Sequence, residues 1–251
     1  MKKLLICVLA VLLLASGCQA KNAFTPKKGE VCVPYKILAV YESSVLAYAC
    51  EAEYSELTFV SLSNAALSDE NGTALTPADL KGGMVIEVIW NGMVAESWPS
   101  QIWADRVRVR EQQDDRVGLY RTVLNNLWEA DPALRQDAQT LGLDFSTLTH
   151  LTEMEKTGLA YLFSCDVGLG LQYVFGTWEE LCDEGYIDRE NLCWEDGVFF
   201  SLTLQEEGAD SFVFDAEMWR SGTGAIQYSA YTAKRGGDGQ WRYEPGRMAM
   251  A

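Results

Sequence analysis

The chain has one histidine, His150, and this limits the catalytic constellations that it can form. A Ser-His-Asp or Cys-His arrangement would have to use His150 as its base. The sequence contains no Gly-x-Ser-x-Gly elbow, and no cysteine stands in a recognisable nucleophile motif. We therefore interpret His150 as a loop or helix-flanking residue. A single histidine also excludes a histidine-rich transition-metal site.

Carboxylates are abundant, and one pair has an environment that suggests chemistry. Glu195 and Asp196 follow Trp194 directly. An aromatic ring beside two acids would suit the acid–base cleavage of a sugar. The same residues also form a plausible hairpin turn, which is the interpretation that we favour. A carboxylate-dependent envelope hydrolase stays open as an alternative function.

Metal and cofactor motifs are weak along the whole sequence. Residues 69–71, Asp-Glu-Asn, offer oxygen ligands for calcium, but the full calcium-loop pattern is absent and an acidic turn explains them. No two cysteines have the Cys-x-x-Cys spacing of a zinc ribbon or a thioredoxin-like site. The sequence predicts no catalytic residue, no metal and no cofactor.

A candidate binding surface is indicated by tryptophans and arginines close together in sequence. Trp98 and Trp103 lead into a strand in which Arg106, Arg108 and Arg110 alternate with valines. The alternation places the valines inward and the arginines outward. The arginines would bind an anion or an acidic partner, or they would protect an edge strand and pair with acids of the same chain. The second interpretation is the simpler one.

The N-terminus resembles the signal peptide and lipobox of bacterial lipoproteins. Lys2 and Lys3 precede a twelve-residue apolar run, which suits a signal peptide and is too short to span a bilayer. The residues Leu14-Ala-Ser-Gly-Cys18 follow, although the Leu stands one position earlier than is usual in the family. The resemblance implies cleavage of residues 1–17 and lipidation of Cys18, which anchors the chain to the extracytoplasmic face of the membrane.

The net charge of the chain limits the partners that it can bind. The leader carries two lysines and no acid, so the mature chain has 18 basic and 36 acidic side chains, a net charge near −18. This charge argues against nucleic acid as a partner.

Five cysteines lie beyond Cys18, an odd number that rules out full pairing within one chain. We interpret them mainly as buried thiols, with Cys32–Cys50 and Cys182–Cys193 as possible disulfides. The fifth is Cys165.

The first half of the mature chain has the pattern of a small β-domain. Five short strands and one helical turn are predicted over residues 31–110, including a hairpin at Asn91-Gly92 followed by a strand over 93–98. Residues 78–109 resemble the OB-like domain of unknown function found in Gram-positive lipoproteins. The resemblance rests on Asp79-Leu80, Trp90-Asn-Gly92 and Glu96-Ser-Trp-Pro99. It implies a barrel and an extracellular setting, and it supplies no catalytic residue.

The second half combines helices and strands. An apolar stripe predicts a helix over about 117–128, and Asp131-Pro132 a second short one. Capping boxes at Thr152 and Thr177 predict two more helices. Alternating strands follow from Val198 to Tyr243.

The sequence therefore predicts an α+β fold in which a five-stranded OB-like β-barrel precedes helices and then an antiparallel sheet. The predicted organisation is a signal peptide (1–17), a tether (18–30), the barrel (31–112) and an α+β domain (115–251). The favoured function is non-catalytic binding of an unknown protein or small molecule at the cell surface. The two alternatives are a carboxylate-dependent envelope hydrolase and a structural or assembly role.

Overall fold

The computed structural model describes residues 24–51, 56–111, 114–168 and 172–251. The predicted leader, Cys18 and the first part of the tether lie outside these residues. Two mixed β-sheets dominate the described part, with three α-helices.

The first sheet has eight strands in the order β5-β4-β8-β6-β1-β2-β3-β7. Its strands are β1 (Val31–Val40), β2 (Ser44–Ala49), β3 (Leu57–Ser61), β4 (Ala66–Ser68), β5 (Ala74–Leu75), β6 (Val85–Trp90), β7 (Ser100–Trp103) and β8 (Arg106–Glu111). A 3-10 helix, Pro77–Asp79, joins β5 to β6, as Thr76 and Pro77 predict.

The second sheet has the order β10-β9-β11-β12-β13-β14, and β15 also pairs with β13. Its strands are β9 (Thr140–Asp144), β10 (Gln172–Phe175), β11 (Gly197–Glu207), β12 (Ser211–Ser221), β13 (Gly224–Arg235), β14 (Trp241–Glu244) and β15 (Arg247–Met250). The helices are α1 (Arg116–Ala130), α2 (Glu153–Val167) and α3 (Trp178–Asp183). The capping boxes at Thr152 and Thr177 are confirmed, whereas Asp131-Pro132 begins a turn and not a helix.

The predicted fold class is wrong in the first half because the eight strands do not close into a barrel. The chain bends at Ala104 and Asp105, whose amides bond to Ser61 on β3 and to Ile89 on β6. This bend divides the last segment into β7, which pairs with β3, and β8, which pairs with β6. The other edge of β8 pairs with β4, so β8 has no edge left for β7.

The predicted fold class is also wrong in the second half, where helices and strands are interleaved. β9 precedes α2 and β10 follows it, and the two strands are parallel. α2 is therefore the crossover connection that parallel strands require. β11 pairs in parallel with the other edge of β9 and begins an antiparallel meander through β14.

Residue alternation gives the first sheet two buried faces. On β2, Val45 and Ala47 join a core formed within the first sheet. Leu46 and Tyr48 point the other way and join a larger core with α1, α2 and the second sheet. Helices α1 and α2 contact both β1 and strands of the second sheet. The two halves are thus packed around one pair of helices.

Candidate functional site

Trp98 and Trp103 are the two most prominent exposed aromatic residues of the described chain. Trp98 lies in the loop between β6 and β7 and is 61% exposed. Trp103 ends β7 and is 53% exposed. The predicted strand over 93–98 is wrong, because only Ala95 pairs, in an isolated bridge with Gln101. Trp98 therefore stands on a loop that is tied to β7.

Three further rings connect and support the tryptophans. Tyr161 of α2 meets Trp98 edge-on, with ring centroids 5.2 Å apart. Phe59 of β3 is 6.4 Å from Tyr161, and Tyr41 is 5.8 Å from Phe59. We call these five residues the aromatic surface. Burial raises the pKa of Tyr161 to about 12, so its phenol is neutral at physiological pH.

A shallow cavity of about 210 Å³ lies beside Trp103 and Phe59. Its lining is completed by residues from β2, β3 and β7, namely Ser44, Ser61, Gln101 and Ile102. Strand register explains this grouping, because Ser44 and Trp103 both stand opposite Ser61 on the two neighbours of β3. The buried hydroxyls of Thr58 and Ser100, 2.9 Å apart, hold β7 against β3. All the side chains that line the cavity are uncharged.

The three arginines of β8 are paired with acids of the same chain. Arg108 Nε donates to Glu87 at 2.8 Å, and Arg110 Nη1 donates to the other Glu87 oxygen at 2.9 Å. Arg106 Nη2 donates to Glu30 at 2.5 Å. The structure thus places each arginine beside a carboxylate, whereas the interpretation that the arginines protect an edge strand is wrong, because β8 lies between β4 and β6.

The end of the predicted tether packs on the same strand. The guanidinium groups of Arg108 and Arg106 lie 4.5 and 5.8 Å from the centroid of the Phe24 ring. Arg106 also donates to the carbonyl of Thr25 at 3.2 Å. The arginines are therefore grouped with the N-terminal segment, while the tryptophans are grouped with α2 and β3.

His150 lies in the turn before Thr152, where the sequence predicts it, and its side chain is only 1% exposed. Nε2 bonds to the hydroxyl of Tyr120 at 3.0 Å, and Nδ1 is 3.6 Å from a Glu207 oxygen. Burial, together with the nearby Arg116, lowers the pKa of His150. This histidine is enclosed between α1 and β12, where a substrate has no access.

The acidic group at Trp194 is part of a folded bend. Trp194 is 2% exposed, and its indole nitrogen donates to Asp196 at 3.2 Å. The carbonyl of Glu195 accepts a bond from Arg220. The ring is buried and cannot stack on a sugar. The favoured hairpin turn is also wrong, because Glu195 and Asp196 form a bend that leads into β11, and β11 pairs with β9 and β12. The Asp69 carboxylate likewise accepts bonds from the amides of Asn71 and Thr73, both at 2.8 Å, as an ordinary acidic turn does.

A polar cleft of about 480 Å³ lies between β1 and α1, and the sequence reasoning missed it. Arg121 donates two bonds of 2.6 Å to Asp166, which also accepts one from Asn125 at 2.8 Å. Asp115, the N-cap of α1, accepts from the amide of Gly118 at 2.8 Å. The N-cap position of Asp115 is readable from the sequence, but its place in the same cleft as Asp166 depends on how α1 and α2 pack.

The two carboxyls of the cleft differ in proton affinity. Burial raises the pKa of Asp115. Burial also acts to raise the pKa of Asp166, but the hydrogen bonds from Arg121 and Asn125 outweigh it and the pKa is lowered. Carboxyls with opposed shifts in one cleft have the character of an acid and a base.

The two possible disulfides are not formed, and the favoured interpretation of the cysteines as buried thiols is wrong, because all five are partly or fully exposed. Cys32, Cys182 and Cys193 are free thiols, so neither Cys32–Cys50 nor Cys182–Cys193 is bridged. The amide of Cys50 bonds to the carbonyl of Pro34, which places Cys50 opposite Pro34 and not opposite Cys32. Within the described ranges, His, Cys, Asp and Glu side chains do not gather in groups of three that could hold a metal.

Comparison with known proteins gives no family. No protein-family model matches the chain, and no curated protein is significantly similar to it. The resemblance of residues 78–109 to an OB-like family therefore stays a prediction. The longest helices of the described chain have 15 residues, and none has the length and apolarity of a membrane span.

Proposed function

We propose that this chain is a lipid-anchored extracytoplasmic protein that binds a ligand non-covalently through the aromatic surface. The observation that carries the binding role is the pair of half-exposed tryptophans, Trp98 and Trp103. Trp98 is in ring contact with Tyr161, and Trp103 stands beside a cavity that Phe59 also lines. Exposed tryptophan is costly to leave in water and is enriched at binding hot spots. The leader and Cys18 support the location.

The anchoring half of the proposal is tested by substituting cysteines of the N-terminal region. Cys18→Ala should leave the protein unlipidated and release it from the membrane fraction, because the proposal assigns the anchoring to the lipid on Cys18. Cys7→Ala is the matched control, since this residue belongs to the removed leader. Equal membrane partitioning of the two variants would contradict the proposal.

The binding half is tested by cross-linking the lipidated protein in its own membrane, followed by isolation and mass spectrometry. We expect an adduct that disappears with Trp103→Ala and weakens with Trp98→Ala. Met250→Ala is the matched control, because Met250 is similarly exposed, at 53%, but lies on β15. An adduct pattern that is identical for all four proteins would contradict a binding role of the aromatic surface.

A carboxylate-dependent hydrolase is the second candidate function, and the polar cleft with Asp115 and Asp166 favours it. Asp115→Asn provides a clean test, since Asn caps a helix as well as Asp and should keep α1 intact. If the cleft hydrolyses glycosidic bonds, the wild type releases reducing ends from purified cell-wall polymer and Asp115→Asn does not. Absence of release by the wild type would reject this function.

A further inference from the structure

We propose that the aromatic surface binds a neutral carbohydrate chain, one sugar ring lying in the cavity beside Trp103. This inference rests on the proposed binding function and names the chemistry of its ligand. The argument depends on the charge, the size and the polar groups of the site.

The first argument is the absence of charge at the site. The chain carries 36 acidic and 20 basic side chains, yet the six residues lining the cavity include no charged one. The Tyr161 phenol is neutral at physiological pH, and burial raises its pKa further, to about 12. Within the cavity, a cationic ligand would find no carboxylate to pair with, and an anionic ligand would meet no lysine or arginine, while the acidic chain as a whole would repel it. The charged Arg121 and Asp166 act on Tyr41, which does not line the cavity. The site is therefore suited to a neutral ligand.

The second argument is the shape of the site. A cavity of about 210 Å³ is smaller than the clefts that enclose drug-sized ligands, but it has room for one pyranose ring. Phe59 lines the cavity and also contacts Tyr161, which contacts Trp98. A continuous row of rings thus leads from the cavity to Trp98. A ligand that occupies both ends must be an extended chain.

The third argument is the combination of aromatic faces with neutral hydrogen-bonding groups. The C–H face of a pyranose is weakly positive and packs on the electron-rich face of an indole. Ser44 and Ser61 offer hydroxyls, and Gln101 offers a carboxamide, each of which can donate and accept. These groups match the hydroxyl and amide substituents at the edge of a sugar. Gln101 Nε2 already donates to Ser97 at 3.2 Å, and the Ser61 hydroxyl lies 3.4 Å from that of Ser63. An apolar peptide would therefore leave the Ser44 hydroxyl and the side-chain carbonyl oxygen of Gln101 without a partner.

The test uses the lipidated full-length chain in nanodiscs of phosphatidylcholine and follows tryptophan fluorescence. The probes are the tetramer of N-acetylglucosamine, which is neutral, cellotetraose, which is also neutral, and the glucosamine tetramer, which is cationic. We expect saturable quenching by at least one neutral tetramer. Trp103→Ala should weaken that binding about tenfold and Trp98→Ala severalfold, while Met250→Ala should leave it unchanged.

Three results would overturn the inference. The first is the absence of saturable binding of either neutral tetramer at millimolar concentration. The second is stronger binding of the cationic tetramer that is insensitive to Trp103→Ala, because general attraction to an acidic protein explains it. The third is Trp103-dependent sedimentation of the Cys18→Ala chain with phosphatidylcholine vesicles, which would assign the tryptophans to the lipid interface.

Failure of this inference is distinguishable from failure of the proposed function. If the sugars do not bind but the cross-linked adduct still depends on Trp103, the surface is a binding site for another class of ligand. If both the sugar binding and the Trp103-dependent adduct are absent, the binding function itself is wrong.

Discussion

Removing the charge of Glu155 should loosen the attachment of α2 to the first sheet. Glu155 lies in the first turn of α2, and its Oε1 is 2.6 Å from Nζ of Lys36 on β1. The two side chains are 5% and 18% exposed, so water screens the pair only weakly. The other Glu155 oxygen completes the capping box with Thr152, at 2.9 Å from its amide.

The expected loss follows from this geometry. Breaking a buried ion pair by removing one partner costs about 3–5 kcal/mol, and the partial exposure of Lys36 reduces our expectation to about 2–3 kcal/mol for Glu155→Gln. Gln keeps the capping box, so this variant isolates the charge. Glu155→Ala should lose about 1 kcal/mol more, because the cap is lost as well. The double variant Lys36→Met, Glu155→Gln should recover most of the loss, since it leaves no unpaired buried charge.

Urea unfolding of the wild type, Lys36→Met, Glu155→Gln and the double variant, followed by circular dichroism, gives the double-mutant cycle. Glu153→Gln is the matched control on the same helix turn, because Glu153 pairs with Lys156 at 2.9 Å but is 87% exposed. We expect the control to stay within about 0.5 kcal/mol of the wild type. A loss for Glu155→Gln no larger than for Glu153→Gln would refute the claim that this pair attaches α2.

Three other perturbations give separable outcomes. Gly83→Ala should lower the free energy of unfolding in urea by more than about 2 kcal/mol, because Gly83 has a φ of 79° and a Cβ there would overlap the backbone entering α1. Gly72→Ala is the control, with a φ of 84° and open space around it, and should lower the free energy of unfolding by only about 1 kcal/mol. Because burial lowers the pKa of His150, the unfolded chain binds a proton on this residue more readily than the folded chain, and stability should fall as the pH drops below 6.5. His150→Gln should show a smaller fall, and a fall as large as that of the wild type would contradict this prediction. Glu87→Gln should lower the melting temperature more than removal of either of its arginine partners, because it breaks two ion pairs at once; equal effects would show that only one pair matters.

Local signals in the sequence predict the elements that depend on local physics. Alternating valines identify β8, and the capping boxes identify α2 and α3. The apolar stripe identifies α1 because its buried residues, from Val117 to Trp128, recur at helical spacing. These patterns reflect burial of one face and satisfaction of terminal amides within a few residues of chain.

Elements that depend on distant partners are not predictable in this way. β9 has only five residues, and Gly142 at its centre weakens its strand signal. That glycine is needed because the ring of Trp194 packs against it, and nothing near Gly142 in the sequence indicates this contact. Whether the first sheet closes into a barrel likewise depends on a distant contact. β4 pairs in parallel with the edge of β8, about 40 residues further along the chain, and the local sequence does not indicate this pairing.

The candidate site likewise combines residues that the sequence indicates with residues that only the fold brings together. Trp98 and Trp103 are conspicuous in the sequence, but the residues that support them are not. Phe59 and Tyr161 read as ordinary core positions of a strand and a helix, and only the packing of α2 on the first sheet brings them together. The arginines were predicted to be outward-facing, but their pairing with Glu87 and Glu30 depends on strand register and on the path of the N-terminal segment.

The aromatic surface is built from both halves of the chain, which couples ligand binding to the packing of α2. Trp103 belongs to the first sheet and Trp98 to the loop that enters β7, whereas Tyr161, which contacts Trp98, belongs to the helix that Lys36 and Glu155 attach. A ligand that needs Trp98 in this position binds only when α2 is packed against the first sheet. By linkage, the free energy by which the ligand stabilises this packing equals the free energy that the packing contributes to ligand binding. The ion pair, neither of whose residues lines the cavity, therefore contributes to the energetics of the site.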